Sequence, residues 1–178
     1  MKDASHIIRK EVFTALNGNI TLNSANVPVY NVVPSSASEP YILITSISNL
    51  IFDDIKDTYL NNIQTQVEIV TAFDTNTGGQ LDANLGMNQI TQRLISRNTF
   101  FDLSSDNFKC ISAQNDGITY ITEDTETQTI YRGILTFSNG IIFGGVVELG
   151  KISLNEKKPI EEASMVIPIP VTCCEAPK

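Results

Sequence analysis

The stretch NNIQTQVEIVTAF, residues 61–73, alternates with a period of two, placing Ile63, Thr65, Val67, Ile69, Thr71 and Phe73 on one side and Gln64, Gln66 and Glu68 on the other. That period predicts a strand with one row turned to a core. The apolar run YILITSISNL before it predicts a neighbouring strand, and the intervening IFDDIKDTYL, which has no helical face, predicts a long hairpin arm. The outward row consists of amides and one carboxylate, where an ordinary wetted face mixes lysine with glutamate.

A helical period occurs twice. In DASHIIRKEVFTALNG, Ile8, Val12, Ala15 and Leu16 form a stripe, with Ser5 as the cap and Asn17-Gly18 as the stop. A second helix is predicted over Leu81 to Ser96, after the Gly78-Gly79 break, with Asp82 as its cap and Leu85, Ile90, Leu94 and Ile95 as its apolar stripe. The connection NITLNSANVPVYNVVPSSASEP, rich in asparagine, serine and proline, predicts an irregular path with one short edge strand. Three further strands are predicted from FKCISAQND, GITYITEDTE and TQTIYRGILTFS. From Asn139 the chain is punctuated by glycine, then charged, then closes on VIPIPV, whose prolines cannot sit inside a ladder. This predicts a short hairpin followed by an extended arm.

The expected fold class is α+β: an antiparallel (mixed) β-sheet with two helices packed on it, plus an extended C-terminal arm. Its domains are 1–138, the α+β body, and 139–178, the hairpin and arm.

Composition narrows the function. Among 178 residues, 12 Lys and Arg stand against 20 Asp and Glu, a formal charge of -8. This argues against a basic surface that grips phosphate, while an acidic ring that lets DNA pass without sticking stays compatible with it. No apolar run reaches the ~20 residues of a membrane span, and the charged start MKDASHIIRKEVF lacks the apolar segment of a signal peptide, so a cytoplasmic product is expected. Cys110 is isolated and Cys173-Cys174 are adjacent, which is neither a disulfide framework nor zinc-ligand spacing.

Candidate chemistry is sparse. His6 is the sole histidine and has no partner at ligand spacing. Asp53, Asp54 and Asp57 lack the central glycine and terminal glutamate of a calcium loop, and EDTETQT (123–129) reads as an acidic hairpin tip. The glycine pairs in TNTGGQ and FGGVVELG are not followed by Lys-Ser/Thr and cradle no phosphate. No catalytic residue, metal ligand or cofactor-binding residue is predicted, and the chain is expected not to be an enzyme. Two rivals remain: a soluble α+β binding module whose acidic loops bind a basic partner or a cation, and a hydrolase assembled in space from Asp53, Asp54, Glu123 and Asp124.

The order of these features resembles a known family. The amphipathic first helix, the Pro-rich link into EPYILI, the charged DDIKD, the strand NNIQTQVEIVTAF, the helix ANLGMNQITQRLIS and the stretch GITYITEDTETQTIYRGILTFS together resemble the tail completion, or tail terminator, proteins of tailed bacteriophages. The family's "P-Y-apolar-apolar" strand falls on Pro40-Tyr41, its alternating strand on Gln64 to Phe73, its helix on Leu81 to Ser96, and its final strand with Arg before an apolar run on Tyr131 to Phe137. The resemblance spans residues 4–138, and the C-terminal forty or so residues depart from the family's compact pattern.

The resemblance implies a virion structural protein at the head–tail or neck junction, assembled in the host bacterial cytoplasm. It implies a partner that is the chain itself, in a ring of about six subunits or a multiple, built on heterologous contacts. Its other implied partners are the connector or portal-side and tail proteins, with DNA passing through the lumen unbound and no membrane involved. Within that frame the outward Gln64, Gln66 and Glu68 are the expected subunit contact or lumen wall, because amides bond across an interface without the penalty of burying charge. Asp53, Asp54 and Lys56 of the hairpin arm are expected to reach a neighbouring subunit.

Overall fold

The computed structural model describes residues 3–55, 58–74, 77–95 and 100–143, with the side chains of Ser46 and of residues 51–59 outside that description. The chain opens with helix α1 (Ser5–Leu16), followed by the two-residue strands β1 (Thr21–Leu22), β2 (Ala25–Asn26) and β3 (Val29–Tyr30). Long strands β4 (Tyr41–Ile55) and β5 (Thr58–Asp74) come next, then helix α2 (Leu81–Leu94) and a 3-10 turn at Ser104–Asp106. Strands β6 (Phe108–Asp124) and β7 (Gln128–Phe143) complete the described chain.

Five strands form one sheet in the order β3-β4-β5-β7-β6, antiparallel throughout except for the short parallel β3–β4 pair. The mixed sheet with its two helices is the expected α+β fold. The hairpin arm is present in the described residues: β4 and β5 remain paired as far as Ile55 and Thr58. β7 runs continuously across positions 138 and 139. The expected C-terminal arm and Cys173-Cys174 lie outside the described residues.

The helices lie on one face. β5 turns Ile63, Thr65, Val67, Ile69 and Thr71 inward, as its alternation requires, against Ile7, Ile8, Val12 and Leu16 of α1 and Met87, Ile90 and Leu94 of α2. α1 packs over β4 and α2 over β5 and β7. α2 approaches β5 closely at Gly86, where a Cβ would collide with Ile69 Cδ1.

Three local expectations are corrected. Ser5 is the first helical residue rather than the cap; Asp3 Oδ1 accepts from the Ser5 amide at 3.0 Å and from its hydroxyl at 2.6 Å. The buried stripe of α2 is Ala83, Gly86, Met87, Ile90 and Leu94, with Leu85 exposed and Asp82 in the first turn behind the cap Gln80. FKCISAQND and GITYITEDTE form a single strand, because a bulge between Asn115 and Gly117 absorbs the glycine without ending the ladder. Gly117 has φ 143, a backbone geometry that suits glycine.

Candidate functional site

The sheet face turned away from the helices carries the polar row. Antiparallel register aligns Ser48, Gln64, Ser138 and Gln114 across four strands, and Leu43, Glu68, Ile134 and Thr119 in another row. Gln64 is exposed, Gln66 half-buried and Glu68 buried.

Two networks organise this face. Arg132 of β7 donates from Nη1 to Glu68 Oε1 at 2.8 Å on β5 and from Nη2 to Glu123 Oε2 at 3.3 Å on β6. The geometry follows from register: Arg132 lies opposite Val70 and Ile121, so the two carboxylates are its diagonal neighbours on either side. The hydrogen bond to Glu68, more than any other influence, raises the Arg132 pKa and keeps the guanidinium charged. In the second network Asp116, the extra residue of the β6 bulge, accepts at Oδ2 from Gln64 Nε2 at 3.2 Å and from Ser138 Oγ at 2.6 Å. The bulge thus turns a carboxylate of the edge strand onto the central strands.

Beside these networks a groove of about 240 Å³ opens between Leu60, Asn62, Ile111, Ser112 and Gln114, over Gly140. Its floor is low because Gly140 has no side chain; its amide donates to Ser112 Oγ at 3.1 Å, and a Cβ there would meet that oxygen. On the helix side Cys110 is buried, which pushes its thiol pKa up, and it donates to the Ser112 carbonyl at 3.4 Å. It is a core thiol held in its protonated form.

The structure treats the sequence-predicted residues unequally. Gln64, Gln66 and Glu68 share one face, but Glu68 is already paired within its own chain rather than left for a partner's base. Asp53 and Asp54 lie in β4 opposite Leu60 and Tyr59, their side chains beyond description, and Lys56 lies outside the described residues. A combined site of Asp53, Asp54, Glu123 and Asp124 is ruled out by register. Asp54 is level with Tyr59 and Glu123 with Ala72, thirteen residues along β5, or roughly 43 Å at the rise of a strand. Sequence reading met Arg132 only as the arginine before the last strand's apolar run and missed its pairing, as it missed Asp116; the two stand 64 and 52 residues from their β5 partners. The one signal for Arg132 was its position as a lone charge inside an apolar run.

Among the described residues no three His, Cys, Asp or Glu side chains come together to hold a metal, and no helix is long and apolar enough to cross a membrane. No family model matches the chain, and no curated protein is similar to it. A solved structure does share its fold: a chain from the virion of a native gene transfer agent particle, with a TM-score of 0.61 at 11% identity. The match covers 79% of this chain and 99% of that one. The α+β architecture described above therefore recurs in a protein that belongs to a virion.

Proposed function

We propose that this chain is a virion structural protein of a phage-like particle, a ring-forming subunit at the head–tail or neck junction. Its ring joins the connector to the tail and lets the genome pass. The observation that carries the reading is the shared fold: nearly the whole of the gene transfer agent virion chain matches this one, over 79% of this chain. The order of elements that resembles the tail terminator family points the same way, with its own partners being further copies of itself and the proteins above and below the ring.

The outer face suits a wall past which DNA slides. Its arginine is held between two carboxylates, and Asp116 ties down Gln64 and Ser138, so around these networks the face presents amides, acids and an already paired guanidinium to phosphate. A polyanion passing such a wall meets little that holds it.

The reading is tested on particles purified from cells that carry the gene in its own genomic setting. Quantitative mass spectrometry is expected to find the chain in the particle at about six copies or a multiple, the ring size the family resemblance implies. Imaging of particles bearing a tagged chain is expected to place the tag at the junction of head and tail. Absence of the chain from particles would overturn the reading.

A further inference from the structure

The edge strand β6 is left open. From Gln114 onward it is exposed along almost its whole length on both faces, and Ile118, Tyr120 and Ile121 keep 37%, 40% and 40% of their surface. The cause is a mismatch between layers: α1 covers β4 and α2 covers β5 and β7, and among the described residues no helix lies over this half of β6. Tyr120 only leans over Gly133, where its ring edge and Met87 occupy the space a side chain would take. A long edge with apolar side chains and without proline or lysine to blunt it invites another strand.

The opposite end of the sheet is open as well. β3 pairs with β4 only at Ile42 and Leu43, and among the described residues no strand pairs with the outer side of β4 beyond them. Arg9 of α1 marks this second edge, donating to Asn31 Oδ1 at 3.1 Å and to the Ile44 carbonyl at 3.4 Å.

We infer that the exposed half of β6, with Ile118, Tyr120 and Ile121, is an intersubunit edge that pairs with the β3–β4 edge of a second copy of this chain. The inference rests on the ring reading and names the surface that closes the ring. Two observations select this occupant. The steps from β4 through β5 and β7 to β6 are all antiparallel, so β4 and β6 run in opposite directions. A second copy placed head to tail therefore meets β6 with an antiparallel edge and extends the same sheet. The incoming copy also carries α1 over its β4, which supplies a helix beside the uncovered Ile118 and Tyr120. A two-fold pairing of β6 with β6 brings no helix to that gap.

The test uses the full chain in two variants that change exposed side chains and, at Arg9, a half-buried one. One breaks the β6 edge (Ile118→Lys with Ile121→Lys) and the other the β4 edge (Arg9→Glu with Leu50→Glu); circular dichroism first verifies that each folds. Native mass spectrometry is expected to show a ring for the wild type, a monomer for each variant alone, and a one-to-one heterodimer when the two are mixed. The mixture restores a single good contact and no more, which only a heterologous interface does. A ring that survives both β6 substitutions overturns this interface and leaves the ring reading standing. A β4-edge variant that still forms a two-fold dimer overturns the pairing as well. A monomeric wild type whose 117–124 amides are protected from exchange by its own chain overturns both.

Discussion

Arg132 Nη1 meets Glu68 Oε1 at 2.8 Å across strands that are adjacent in the sheet but 64 residues apart in the chain. Glu68 is buried while Arg132 keeps about a quarter of its side-chain surface, 28%. Removing the arginine leaves a buried carboxylate without its partner. Arg132→Met is expected to destabilise the fold by roughly 2 kcal/mol, less than the ~3–5 for a fully buried pair because water still reaches the guanidinium. Urea denaturation checks this. Adding Glu68→Gln to Arg132→Met is expected to recover most of the loss, because the uncompensated charge is then gone.

Asp3 links folding to pH. Its carboxylate accepts from the Ser5 hydroxyl and amide, which hold its pKa below the ordinary 3.8, and from Asn49 Nδ2 at 2.9 Å. A folded-state pKa below the unfolded one means that its stabilisation is fully present above the unfolded value and fades as pH falls through the folded one. Melting temperatures between pH 6 and about pH 3 are therefore expected to fall less steeply in Asp3→Asn than in the wild type. Equal slopes would show that Asp3 carries no proton linkage.

Gly86 sets the distance between α2 and β5. Gly86→Leu forces a side chain into Ile69, Leu22 and the inner face of the sheet, and overpacking of this kind costs about 1–3 kcal/mol. The expected outcome is a lower urea midpoint with an unchanged m-value. A midpoint equal to the wild type would mean that the helix rides further from the sheet than it does here.

Asn61 is fully buried on β5, and neither of its amide atoms has a hydrogen-bond partner among the described residues. A buried polar group in that state costs about 1–3 kcal/mol. Asn61→Leu, which keeps the side chain's branching while removing its polar atoms, is expected to raise the melting temperature. A fall of several degrees would assign the amide a partner that holds it.

The parts legible in the sequence are those governed by local period. The inward row of β5, the α1 stripe of Ile8, Val12 and Leu16, and the β4–β5 hairpin follow from alternation and helical spacing, which act over a few residues. Gly117 misled, since a glycine between two apolar runs reads as a strand break, whereas a bulge holds it within β6. Leu85 misled for another reason: α2 chose its buried face by close approach at Gly86, and close approach favours small residues over large apolar ones. The outer-face networks were out of reach because they depend on register between distant strands. The row Gln64, Gln66 and Glu68 was visible, but its anchors Arg132 and Asp116 emerge only when β7 and β6 are laid beside β5. Seen with those anchors, Glu68 is an internal ion pair, while Gln64 and the bulged Asp116 form the exposed part of the face.

The most direct test of the account is native mass spectrometry of the full-length chain over a range of micromolar concentrations. One discrete closed oligomer, about six subunits or a multiple, is expected, and it should keep its stoichiometry on dilution. A monomer at every concentration, or an open ladder of sizes that grows with concentration, would contradict it.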